Sequence, residues 1–155
     1  MDGVMKSNLT ENYIECLEKG LKYQDFVTDL LIEDIGISLS TYNSKNYQFK
    51  KGENKQGFEI KFDDRLKETG NLYIEIAEKS NPNNFSYIQS GIYRNDNTWL
   101  YLIGDYSVVY IFAKNYLQKM CDSNKYKKVQ TKTSKGFLIP KIEAEKYCVK
   151  KIKRF

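Results

Sequence analysis

The chain of 155 residues contains no histidine. That absence excludes Ser-His-Asp and Cys-His nucleophilic triads, HExxH zinc chemistry and any imidazole general base. Cysteine is sparse: Cys16, Cys121 and Cys148 are odd in number, widely spaced and without a Cys-Xaa-Xaa-Cys pair. Neither a disulfide framework nor a zinc site follows from them, and a reducing, cytoplasmic location is the expectation. No apolar run approaches the roughly 18 residues that span a bilayer, and the polar N-terminus has no signal-peptide core, so a membrane partner is not expected. There are two prolines, no Walker loop, no GxGxxG sequence, no internal repeat and no interdomain linker.

What is present is aromatic and charged. Thirteen Tyr, eight Phe and one Trp can fill a core, and a single domain of this length buries roughly two-thirds of its unfolded surface without staples. The net charge of +5 is unevenly spread: residues 1–40 hold three basic and eight acidic side chains, and residues 114–155 hold thirteen basic and three acidic. An acidic helical head and a Lys-rich C-terminal region result. Lys125, Lys127, Lys128, Lys132 and Lys135, with Tyr116, Tyr126 and Tyr147 interleaved, read equally as a phosphate-binding surface or as a solvated face.

In order, Asn8 or Thr10 caps a first helix carrying Ile14, Leu17 and Leu21, with Gly20 as a break or C-terminal cap and a second helix following or continuing it. Tyr23, Phe26, Val27, Leu30, Leu31 and Ile35 recur at three and four, which predicts an amphipathic helix ending at Gly36. Asp25, Asp29 and Glu33 form an acidic ridge on its other side. Segments 37–41 and 46–51 read as short strands or a strand with a loop, 64–70 as a turn, and 71–77 as a strand with Leu72, Ile74 and Ile76 on one face. Ser80–Asn84 is a loop. Residues 99–103 and 107–112 form a hairpin about Gly104-Asp105, and Lys114–Met120 a helix. Residues 122–135 read as an exposed loop, and a last helix runs from Lys141 to Ile152 after Pro140.

The segment Gly52–Asp64, GENKQGFEIKFDD, organises the rest. At strand spacing Phe58, Ile60 and Phe62 share one face, while Glu59, Lys61 and Asp63 share the other. A carboxylate and an ammonium side by side can bind a cation together with a phosphate; on a wet edge strand the same pattern is only a weak ion pair. Glu53, flanked by Gly52 and Gly57, can return its carboxylate beside Glu59, and two carboxylates suit a hard cation such as magnesium. Glu75 flanks this pair if the strand 71–77 pairs antiparallel with it.

Three short stretches carry a resemblance: Gly52-Glu53-Asn54, Gly57-Phe58-Glu59-Ile60-Lys61-Phe62-Asp63 and Thr69-Gly70-Asn71-Leu72-Tyr73-Ile74-Glu75. With the order of elements over roughly residues 22–120, the chain resembles the PD-(D/E)XK nuclease superfamily of restriction endonucleases and Holliday-junction resolvases, its bacterial and phage members in particular. The resemblance implies an α/β (α+β) restriction endonuclease-like fold, a mixed central sheet flanked by helices, in one domain over residues 1–155. It implies a Mg2+-dependent endonuclease hydrolysing DNA phosphodiesters, with Mn2+ able to substitute. Glu53, Glu59 and Lys61 would be catalytic. Glu53, Glu59 and the Ile60 carbonyl would hold the metal, and Asp63 and Glu75 would support them. Gln24, with Asp25 beside it, stands where many members have a helical Glu. DNA is the implied partner, and a homodimer would suit cutting both strands. The alternative is a catalytically silent nuclease-like module that binds nucleic acid or a protein.

Overall fold

Tyr23, Val27, Leu30 and Leu31 are each at most 3 % exposed, and burying each such apolar side chain contributes about 1.5–3 kcal/mol. They form the inner stripe of α1 (Asp2–Ile35), which Gly36 ends at a positive φ of 76°. The structure, a computed structural model, describes residues 2–154, with the side chains of residues 2–10 and 12 outside the description. The cap expected at Asn8 or Thr10 falls among those side chains; the helical backbone already runs from Asp2. Gly20 does not break the helix, which is continuous through it.

The expected strands at 37–41 and 46–51 are absent: the first segment is irregular and the second lies in helix α2 (Lys45–Lys51). Ser44 caps α2 by accepting the Tyr47 N–H, and Gly52 closes it. Tyr47 and Phe49 are 50 % and 74 % exposed. With no face buried, the local cap outweighs the β preference of the aromatic residues.

Next come β1 (Phe58–Phe62), α3 (Leu66–Thr69), β2 (Asn71–Glu78), β3 (Ile88–Gln89) and a 3-10 turn at Gly91–Tyr93. Instead of a plain turn at 64–70, α3 ends on Gly70 at a φ of 70°, whose N–H reaches the Leu66 carbonyl at 2.8 Å. The Thr-Gly-Asn stretch is thus a helix stop that launches β2. The expected hairpin is present as β4 (Leu100–Gly104) and β5 (Val108–Ala113), followed by α4 (Lys114–Asp122).

Two C-terminal expectations fail. Residues 122–135 are not all loop: β6 (Lys128–Gln130) and β7 (Ser134–Pro140) pair antiparallel across a tip held by the Thr131 N–H on the Ser134 carbonyl at 2.8 Å. The last helix, α5 (Lys141–Tyr147), stops early, and Lys150–Lys153 form strand β8 against β5. The free edge of β5 offered a ladder that lysines beside a helix dipole could not match, and Ile152 enters the core at 3 % exposure.

The described residues thus make a mixed α+β domain of five helices, the 3-10 turn and two four-stranded sheets, ordered β1-β4-β5-β8 and β3-β2-β7-β6. Two sheets stand where one central sheet was expected. β1 is the edge of the first sheet, parallel to β4, whereas β2 pairs with β3 and β7 and not with β1. One face of the first sheet, with Phe58, Ile60, Leu102, Val109 and Ile111, packs on α1. The opposite face, with Tyr101, Ile103, Tyr110 and Phe112, packs on Leu72, Ile74, Phe137 and Ile139 of the second sheet and on α4 and α5. Among the described residues no helix is long and apolar enough to cross a membrane. The three thiols are free.

Candidate active site

The alternation read from the sequence holds in β1, yet its polar face is not wet. Glu59 is 2 % exposed, and its charged neighbours are Lys61, Asp96 and Lys114. The Lys61 ammonium stands 3.4 Å from Glu59 Oε1 and keeps 41 % of its side-chain surface in solvent. Glu59 Oε2 is buried with no hydrogen-bond partner. A buried carboxylate oxygen left unpaired costs about 1–3 kcal/mol or more, so it calls for a donor or a cation.

Glu53 arrives from the loop between α2 and β1. Its Oε2 accepts the Ile60 N–H at 3.4 Å and the Gln24 side-chain amide at 3.3 Å. Since one strand residue's N–H and C=O project to the same side, the Ile60 carbonyl opens on the same edge of β1 as Glu53. The loop is clamped by two asparagines. The Asn54 amide takes the place of a neighbouring strand, accepting the Phe58 N–H at 2.9 Å and donating to the Phe58 carbonyl at 2.6 Å. Asn97 donates its side-chain amide to the Asn54 carbonyl at 2.8 Å and its backbone N–H to the Lys51 carbonyl at 2.8 Å. Gly52, at a φ of 137°, has no room for a Cβ, which would lie 1.8 Å from Asn97 Oδ1.

Burial first, and the neighbouring Glu59 second, raise the Glu53 carboxyl from 4.5 to about 7. Burial also raises Glu59, with Lys61 opposing it and Asp96 adding to it. Burial works to lower Lys61, but Glu59, Glu53 and Glu75 overcome this and hold it above its ordinary value. In its protonated form Lys61 can orient a phosphate oxygen or offset charge. Behind the pair, Lys114 is 6 % exposed and meets Asp96 at 3.1 Å and the Arg94 carbonyl at 2.7 Å. That buried ion pair anchors the loop carrying Asn97.

The supporting residues divide. Asp63 points into the interior, accepting the Tyr73 N–H at 2.9 Å and the Arg65 N–H at 3.2 Å, and so joins the two sheets. Glu75 reaches the field of Lys61 across the gap between the sheets and not along a shared ladder. Its two oxygens accept the hydroxyls of Ser90 and Ser134, each at 3.1 Å. Gln24 is at the site, whereas Asp25, the next residue on α1, is exposed and turned away from it. Lys125, Lys127, Lys128 and Lys132 are exposed on and before the β6–β7 hairpin, and half-buried Lys135 lies over the Tyr87 ring at 4.4 Å. The same hairpin's Val129 and Thr131 border a cleft that begins at Lys61.

Among the described residues no three His, Cys, Asp or Glu side chains gather as a metal cluster. A cation at this edge would take Glu53, Glu59 Oε2 and the Ile60 carbonyl, with the remaining oxygens from water or substrate. Two carboxylates with water suit magnesium and not zinc. The roles of Asn54, Asn97 and the Arg94, Asp96 and Lys114 group were not foreseen; the glycines flanking GENKQG were the one sequence signal pointing to a constrained loop. Compared with protein-family models, with curated proteins and with solved structures, the chain matches none.

Proposed function

We propose that this domain is a magnesium-dependent nuclease that hydrolyses DNA phosphodiesters, of the PD-(D/E)XK type, at the edge of β1. The observation that carries the reading is the unpartnered, buried Glu59 Oε2 beside the Lys61 ammonium, with a second carboxylate, Glu53, held on the same strand edge. The buried Glu59 carboxylate and the half-buried Glu53 carboxylate repel each other, and a hard divalent cation offsets both charges at once. When bound, such a cation supplies Lewis acidity at the phosphodiester and an activated water. Lys61, protonated and half in solvent, faces the incoming phosphate and offsets the charge that builds on it in the transition state. Gln24 and the Ile60 N–H orient Glu53. The lysines of the β6–β7 hairpin hold neighbouring phosphates without reading sequence.

The test is cleavage of supercoiled plasmid, single-stranded and branched DNA with Mg2+, Mn2+ or EDTA, comparing wild type with Glu59→Ala. Metal-dependent cleavage lost in the variant supports the reading. Binding without cleavage under any metal would overturn the enzyme and leave a silent nucleic-acid module.

A further inference from the structure

Two hollows meet at Lys61. A trough of about 320 Å³ runs along α1 past Gln24, Glu53 and Ile60. A larger cleft of about 530 Å³ lies between the two sheets. Both are bordered by Lys61, Phe62 and Asp64, so they are contiguous there. Of the candidate cation ligands, Glu53 and Ile60 line the trough, and the larger cleft is chemically different. Its floor is Tyr101 and Ile103, and its walls are the half-buried Tyr73, Val129 and Leu138. Asn71 and Thr131 supply polar groups beside these walls.

The cleft is a poor place for a phosphate. Its cations are Lys61 and Arg65 alone, while its lining includes the carboxylates Asp63, Asp64 and Glu75. The exposed lysines of the β6–β7 hairpin are not among its lining residues. Both oxygens of Asp63 and of Glu75 already accept hydrogen bonds. The volume lies in the range of ligand pockets, and aromatic and aliphatic walls with few polar groups suit a flat, uncharged ring. A strand that lays its phosphates by Lys61 and the hairpin lysines has one uncharged part to place here.

We propose that the cleft between the sheets receives one unstacked nucleobase, so that the substrate is DNA with an unpaired nucleotide next to the scissile phosphate. This inference rests on the nuclease reading for its phosphate position and adds the class of substrate. A paired base must first be pulled from the stack, a cost that an unpaired one avoids. Single strands and bulges therefore bind and react ahead of intact duplex.

The experiment uses the full chain and three oligonucleotides of one sequence: a single strand, a duplex with one unpaired 2-aminopurine, and a fully paired duplex. Wild type is expected to cut the first two at least tenfold faster than the third in Mg2+, and to change 2-aminopurine fluorescence on binding in EDTA. Val129→Trp, which fills the cleft from β6, is expected to lose both the preference and the fluorescence change while keeping Mg2+-induced thermal stabilisation. Leu138→Ala, a truncation of the same wall, guards against an overpacked variant that does not fold and is expected to weaken the fluorescence change. Equal cutting of all three substrates, or a Val129→Trp response like wild type, overturns the pocket and leaves the nuclease. If nothing is cut, the chemistry fails separately: a fluorescence change present in wild type and lost in Val129→Trp still supports the pocket, and no change in wild type removes it.

Discussion

Replacing Glu53 by Gln is expected to stabilise the metal-free protein at alkaline pH. The Glu53 carboxyl is raised from 4.5 to about 7 by burial and by Glu59. Its folded pKa lies above its unfolded one, so protonation favours the fold. The penalty is absent below pH 4.5, grows across the window from 4.5 to 7 and is complete above it. The full shift corresponds to about 3 kcal/mol; Glu53 is half-buried, and solvent screening reduces this to about 2 kcal/mol. For a chain of this length that is about 4–8 °C in Tm. The amide introduced by Glu53→Gln keeps an acceptor for the Ile60 N–H and loses the charge. Thermal unfolding in EDTA at pH 5 and pH 8, wild type against Glu53→Gln, should show near-equal Tm values at pH 5 and a higher variant Tm at pH 8. Added Mg2+ should raise the wild-type Tm at pH 8 and leave the variant nearly unmoved, reversing the order. A variant-minus-wild-type difference that is the same at both pH values would refute the claim that burial and Glu59 raise the Glu53 carboxyl.

Lys61→Ala should lower cleavage by about a hundredfold or more with Mg2+ stabilisation retained, and unchanged single-turnover rates would remove Lys61 from the chemistry. Asn54→Ala strands the buried Phe58 N–H and carbonyl, so a loss of about 2–4 kcal/mol in urea unfolding is expected; a loss below about 1 kcal/mol would mean that the loop is not clamped as described. Gly52→Ala meets both a φ of 137° and Asn97 Oδ1 at 1.8 Å, and its Mg2+ response should fall with its stability; a variant as stable as wild type would show that the loop has slack. Each of Lys125→Ala, Lys127→Ala and Lys132→Ala should weaken DNA binding uniformly across sequences and reduce the log-log salt slope by about 1 or less. A flat salt dependence of the wild type would remove the hairpin from the interface.

Several features were legible because they are local. The apolar stripe of Tyr23, Val27, Leu30 and Leu31, the alternation of β1 and β2, and the turn at Gly104-Asp105 each follow from backbone periodicity or turn chemistry over a few residues. Strand spacing alone puts Glu59 beside Lys61, whereas the placing of Gln24 against Glu53 does not follow from any periodicity. Misreadings arose where a partner strand decided the outcome. Lys150–Lys153 carry no strand signal apart from Ile152, and the open edge of β5 recruits them. Segment 46–51 is aromatic enough for a strand, yet it has nothing to pair with and Ser44 caps it as a helix.

From the sequence alone, histidine chemistry is excluded, and a carboxylate and an ammonium are committed to one face of one strand, because residue type and the two-residue period need no further information. Only the tertiary structure decided that Glu59 on this face is buried while Lys61 stays half in solvent, that Glu75 of β2 reaches the field of Lys61 from a second sheet, and that the Glu53 loop is pinned by Asn97 from 43 residues away. Those outcomes depend on which surfaces meet, and the meeting is what turns an ordinary Glu-Xaa-Lys strand into a pair of repelling carboxylates beside a cleft.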